Sequence, residues 1–241
     1  MTLTLAVDTA TDVASVALGD DATVLGQRRI AGRRHSALLL PSIDALLRSC
    51  SRGVQDLRTI VIADGPGSFT GLRIGFATVQ GLVRGHQAAA PLRVATVPSL
   101  LAAAWGAAGG ATGPVLAMYD ALRGDVFAAV YRFGTHDINT LLAPGRMALT
   151  TLTARDDLDP AVVVADGVHP AAAPNWKTRF ASPASVDRNA VSLLALMVAG
   201  AGTIVQDVAT YEPTYGRLAE AQVRWEDVHG RRLPDSPGHR R

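Results

Sequence analysis

The chain has 241 residues, 48% of them apolar and 18% charged, with a formal net charge of +2. That length allows one large domain or two compact halves with a sizeable core, and the apolar share excludes a disordered chain. A lone Cys50 excludes a disulfide framework and any cysteine-based metal cluster.

No apolar run reaches the roughly 20 residues that span a bilayer. Met1 leads directly into a strand pattern, with no signal peptide, so a cytoplasmic protein and no membrane contact are expected. Lys177 is the only lysine, so arginine carries nearly all the positive charge. It is scattered apart from Arg28-Arg29 with Arg33-Arg34 and Arg231-Arg232 with Arg240-Arg241, and these read as solvated faces.

Leu3 to Val7 alternates into the polar turn Asp8-Thr9-Ala10-Thr11-Asp12, and Val13 to Leu18 returns as a second strand. A third runs from about Thr23 to Arg29, making an antiparallel meander. From Ser36 to Ser49, Leu38, Leu39, Ile43, Leu46 and Leu47 give a helical apolar face, with Pro41 tolerable only near the first turn. Thr59 to Ala63 is a short buried strand, residues 71–84 a helix, Val94 to Val97 a strand, and Pro98 to about Trp105 a helix.

Gly106 to Gly113 reads as a linker, after which the pattern restarts. Val115 to Asp120 and Arg123 to Tyr131 repeat the opening: an apolar run ending in aspartate, a turn, a second aspartate and an apolar strand. Residues 161–165 form another strand, 168–187 a Pro/Ala-rich loop, 190–201 an apolar helix and 211–215 an extended segment. The expected organisation is a first lobe over 1–105 and a second over 106–189. A returning segment over 190–218 and a frayed tail over 219–241 complete it.

The most distinctive stretch is the turn between the strand at 59–63 and the next helix. It comprises Gly65, Pro66, Gly67, Ser68, Phe69, Thr70, Gly71, Leu72 and Arg73. Glycines before a helix suit either an anion site made of backbone N–H groups or a rigid packing edge. It is neither a P-loop, lacking lysine after Gly71, nor a nucleophile elbow around Ser68. Asp8, Thr9 and Thr11, paired with Asp120 in the repeat, could hold a hydrated cation or phosphates, or simply form turns. The six histidines show no metal-binding spacing, and Cys50 at a helix C-terminus is ill placed for a thiolate. Loops for binding are present; a catalytic constellation is not.

Asp8-Thr9-Ala10-Thr11, His35-Ser36 with Leu40-Pro41, Gly65 through Gly75, and Asp120 through Phe127 together resemble the TsaB (YeaZ) family. Pro213-Thr214-Tyr215-Gly216-Arg217 is similar to its C-terminal motif, although the family usually has a large apolar residue at Gly216. The resemblance implies an α/β, actin/Hsp70-like (ASKHA) fold of two duplicated lobes, each a mixed sheet flanked by helices. It implies a non-catalytic scaffold for making N6-threonylcarbamoyladenosine at position 37 of ANN-decoding tRNAs. The partners would be the transferase TsaD and the ATPase TsaE, with TsaC supplying threonylcarbamoyl-adenylate and tRNA reached through the complex.

In TsaD a His-x-x-x-His pair binds metal; Val97 to Trp105, the equivalent stretch here, has no histidine. By resemblance the TsaD-pairing surface would use Leu39, Ile43 and Leu46 with Leu72, Phe76 and Val79, and the same helices would give a homodimer when alone. No cofactor is required on this reading, with ATP or ADP expected only at the partner interface. The alternative is an independent ASKHA-type ATPase or phosphotransferase using Asp8 and the glycine loop; a peptidase would need a zinc or nucleophile site.

Overall fold

Two sheets carry the chain, and one strand plan builds both. The computed structural model describes residues 2–21, 23–32, 35–135, 137–155, 157–168, 179–180, 189–216 and 228–229. Nearly all of the expected loop at 168–187 and tail at 219–241 lie outside these residues, as do Arg33, Arg34 and Arg217.

The first sheet contains β1 (Leu3–Asp8), β2 (Val13–Asp20), β3 (Thr23–Ala31), β4 (Thr59–Ala63), β5 (Arg93–Val97) and β11 (Thr203–Ile204), in the order β11-β5-β4-β1-β2-β3. The second contains β6 (Val115–Asp120), β7 (Asp125–Phe133), β8 (Ile138–Ala148), β9 (Val162–Asp166) and β10 (Arg179–Phe180), in the order β10-β9-β6-β7-β8. In each, the first strand pairs antiparallel with the second and parallel with the fourth. Apart from the added edge strand β11, antiparallel to β5, order and direction coincide. The duplication read between Asp8 and Asp120 is therefore a duplication of topology.

Side-chain alternation along β1 divides the core. Leu3, Leu5 and Val7 face the helices α1 (His35–Ser49) and α2 (Phe69–Gly85) on the outer side of the first sheet. Ala6 faces inward, where α3 (Ser99–Ala108) and α5 (Asn189–Val198) pack together between the two sheets. This inner layer is built from small residues: Ala102, Ala103 and Ala104 of α3 are fully buried, against Ala6, Ala17 and Ala63 of one sheet and Ala117 and Ala129 of the other. Interaxial distance follows side-chain size, so alanine lets helices and sheets approach closely. On the far side of the second sheet, Leu116, Met118 and Val163 pack with Leu152 of the short helix α4 (Leu149–Thr153).

Several boundaries move. α3 runs through Gly106 to Ala108 and ends at Gly109, whose φ of 52° is left-handed. β7 begins at Asp125 because Leu122, Arg123 and Gly124 form the turn with φ of 66°, 58° and 84°. Pro41 lies beyond the first turn of α1 and cannot donate to the Ala37 carbonyl. The helix continues because Leu39, Ile43, Leu46 and Leu47 are buried beneath it. β8, β11 and α4 carry too little apolar periodicity to be read from the chain.

The central alanines give a direct test. Ala103→Leu should overpack the inter-sheet layer and lower stability by about 1–3 kcal/mol in urea denaturation. Ala77→Leu, on the exposed side of α2, should change it little.

Candidate functional site

The glycine loop owes its composition to backbone packing. A Cβ on Gly67 would lie 2.4 Å from the Ala10 carbonyl oxygen, and one on Gly71 would lie 2.1 Å from that of Thr9. At Gly65, with φ of 104°, it would fall 2.0 Å from the Thr214 carbonyl oxygen. The loop therefore lies against the β1–β2 turn on one side and the C-terminal segment on the other. Three of its glycine and serine donors are used within the chain. Gly65 N–H donates to Ser99 Oγ at 2.9 Å, Ser68 N–H to the Ala10 carbonyl at 2.7 Å, and Gly71 N–H to Ser68 Oγ at 3.2 Å. Ser68 is thus the N-cap of α2. Phe69 is half-buried, Thr70 and Arg73 are exposed, and Pro66 is buried.

Asp8 and Asp120 each close their own turn. Asp8 Oδ1 accepts from Ala10 N–H and Asp120 Oδ1 from Leu122 N–H, both at 2.8 Å. Asp8, Thr9 and Thr11 are buried, whereas Asp120 is exposed. The Tyr119 hydroxyl is buried among these elements; it donates to the Ser99 carbonyl at 3.2 Å and accepts from Asn189 Nδ2 at 3.1 Å. Burial, then the nearby Asp8 charge, holds its pKa well above the usual tyrosine value. Among the described residues no group of three His, Cys, Asp or Glu side chains is placed to hold a metal, and no helix is long and apolar enough to cross a membrane.

Beyond β11 the chain straps α2 to the glycine loop. Gln80 Nε2 donates to the Val208 carbonyl at 2.9 Å, and Tyr211 stacks on Phe76 at 5.3 Å. The Tyr211 hydroxyl donates to Asp64 Oδ2 at 2.9 Å, and Thr214 N–H donates to the Asp64 carbonyl at 2.7 Å. Tyr215 meets Phe69 with ring centroids 4.4 Å apart, and the Arg73 guanidinium lies over the Phe69 ring, 5.5 Å from its centroid. Burial raises the Asp64 pKa against the opposing Tyr211 and Thr96 hydrogen bonds, and pushes Tyr211 up to about 12. Gly216, with φ of 69°, leaves no room for a bulkier residue: a Cβ there would meet Phe127 at 2.7 Å and Pro66 at 2.8 Å.

The residues expected to face a partner instead face the chain's own sheet. Leu39, Ile43, Leu46, Phe76 and Val79 are buried in the outer-face core, and Leu72 is buried in the layer between the sheets. The period-3.6 pattern identified the buried stripe of each helix, which one sheet suffices to cover. The opposite stripes are the free surface. On α1 these are Ala37, Leu38, Leu40 and Pro41, with Leu38 39% and Leu40 52% exposed; on α2, Ala77 and Gly81, flanked by half-buried Ile74. Leu38, read with the buried face, is instead exposed; Leu40 lies off the stripe set by Leu39, Ile43 and Leu46, and that offset was the available signal.

A family model described as "TsaD: tRNA N6-adenosine threonylcarbamoyltransferase" matches residues 27–176. The chain is 38% identical over 128 residues to the tRNA threonylcarbamoyladenosine biosynthesis protein TsaB of Escherichia coli K12, covering 53% of this chain and 54% of that protein. Against the Bacillus subtilis TsaB it is 32% identical over 130 residues, covering 54% and 55%. The chain belongs to the TsaB (YeaZ) family.

It spans about half the length of the TsaB relatives it matches. An uncharacterized protein of Mycobacterium tuberculosis is 34% identical over 183 residues, 74% of this chain and 76% of that one. YeaZ from Pseudomonas aeruginosa has the same fold: TM-score 0.66 at 22% identity, over 89% of this chain and all of that one. The chain's two sheets of one topology fit the two duplicated lobes expected from the sequence.

Two predictions follow from the loop and its strap. Gly71→Ala should cost several kcal/mol, because the blocking atom is backbone, whereas Gly81→Ala, with open space around it, should stabilise by about 0.5–1 kcal/mol; chemical denaturation of both checks this. Asp64 has a raised folded-state pKa, so its contribution is most favourable below the ordinary value of 3.8 and is lost as pH rises through the raised value. Asp64→Asn keeps an acceptor for Tyr211 without the buried charge. Its melting temperature should gain on the parent as pH rises through that window, whereas Tyr211→Phe should lose about 1.5 kcal/mol at neutral pH.

Proposed function

We propose that this chain is the non-catalytic subunit of a complex that forms N6-threonylcarbamoyladenosine at position 37 of ANN-decoding tRNAs. It pairs with a TsaD-type transferase through the outer face of α1 and α2, and the assembly recruits a TsaE-type ATPase. The observation that carries the pairing is the exposed apolar stripe of Leu38, Leu40 and Pro41 beside the small residues Ala77 and Gly81. Small residues on one helix and leucines on its neighbour suit close packing against a second helix pair.

Family membership supports the pathway, and the relatives are named for it. The scaffold role is supported by the glycine loop, where the Gly65, Ser68 and Gly71 donors are taken by the chain's own serines and backbone and the neighbouring space by backbone carbonyls. It is further supported by α3, which carries no histidine where the transferase has its metal-binding pair. The same outer face would close a homodimer in the partner's absence, and a nucleotide would belong at the partner interface.

The decisive experiment is reconstitution of threonylcarbamoylation from TsaC, TsaD, TsaE, ATP and tRNA, with and without this chain. Product only in its presence, with no ATP hydrolysis by the chain alone, is the expected result. Turnover of ATP by the isolated chain would favour the phosphotransferase reading. Leu40→Glu with Ala77→Arg should abolish association with TsaD while leaving the melting temperature within about 2 °C, as surface changes do. Leu39→Asp, at a fully buried position, should instead unfold the chain.

A further inference from the structure

An arginine rim lies at the end of the first sheet where β4 and β5 begin. α1 and α2 both end there, and Arg52, Arg58, Arg84 and Arg93 sit at these ends or in the loops that follow. All four are exposed. Arg93 N–H donates to the Arg58 carbonyl at 3.1 Å, so two of the arginines open adjacent strands. Arg58 Nη1 donates to the carbonyls of Gln55 and Leu57 at 3.0 Å each, which orders its guanidinium on backbone. None of the four forms an ion pair among the described residues.

The nearby carboxylates are engaged elsewhere. Asp56 accepts from Gly53 N–H at 2.7 Å, and Asp207 accepts from Ala209 N–H at 2.9 Å and Thr210 Oγ1 at 2.8 Å. The acidic pair Asp20 and Asp21 lies at the β2–β3 end of the same sheet, so charge is polarised along this edge.

We infer that this rim is a docking surface for the phosphodiester backbone of RNA, here the tRNA brought to the complex. The inference rests on the subunit reading above. Guanidinium groups match phosphate oxygens with paired donors, and arginines held apart from carboxylates keep their charge for a polyanion. The rim adjoins the outer face of α1 and α2 through Arg52 and Arg84. A tRNA held at a partner on that face therefore passes within reach of it. Such contacts position the RNA without reading its sequence.

The test uses the assembled complex and an unmodified ANN-decoding tRNA transcript, with affinity measured across a series of KCl concentrations. Arg58→Glu with Arg93→Glu should weaken binding by about tenfold or more near 0.1 M salt and lower the slope of log K against log salt by about 2. Arg132→Glu, on the second sheet, should leave both unchanged. The milder Arg58→Gln and Arg93→Gln variants, each expected to lower the slope by about 1, serve if the double variant does not fold.

Unchanged affinity and slope in a complex that still assembles overturns the inference. So does a double variant that loses the ATPase partner but not tRNA, which would make the rim a protein contact. A parent chain that supports no threonylcarbamoylation, yet whose complex binds tRNA in a rim-dependent way, would sink the subunit reading and leave the rim standing.

Discussion

The approach of the glycine loop to the β1–β2 turn is the contact on which the rest of the structure depends. Backbone meets backbone there, with the Ala10 and Thr9 carbonyls where side chains on residues 67 and 71 would stand. The Ser68 N–H to Ala10 carbonyl bond ties the start of α2 to the first turn of the sheet. The same loop meets Ser99 at the start of α3 and Thr214 in the strap, so one tight turn registers four segments distant in sequence. A glycine-rich strand-to-helix turn is commonly read as a phosphate cradle. Here the same freedom of approach accommodates the chain's own carbonyls.

From that anchor two surfaces diverge. Inward, alanine-rich α3 and α5 let the two sheets share a thin central layer, and the Tyr119, Asn189 and Ser99 hydrogen bonds cross it. Buried polar groups are costly unless bonded, so this network favours one relative placement of the lobes. Outward, α1 and α2 bury one stripe on the sheet and leave another to solvent. The strap then flanks α2 with Tyr211, stacked on Phe76, and Tyr215, tilted against Phe69.

On the proposed reading, the function follows from these surfaces more than from any reactive group. Asp8 and Asp120 serve as turn closers in matching places, which is how a duplicated fold can keep its aspartates for structure. The exposed leucine stripe, the small residues beside it and the arginine rim at the helix ends form a continuous side of the first lobe. On the proposed reading that side carries both the partner and the RNA.

The sequence by itself determined the meander, the strand at 59–63, the two outer helices and the repeat between Asp8 and Asp120, because each is encoded locally by periodicity and turn residues. Its motifs also carried the family. Only the tertiary structure decided which side of α1 and α2 is free. A helical pattern marks an apolar stripe but not what covers it, and Leu39 and Phe76 are covered by their own sheet. It alone explained Gly65 and Gly71, since the atoms that exclude a side chain come from Thr214 and Thr9. The Asp64–Tyr211 bond and the arginine rim were equally hidden, because both join residues far apart in sequence that only sheet order brings together.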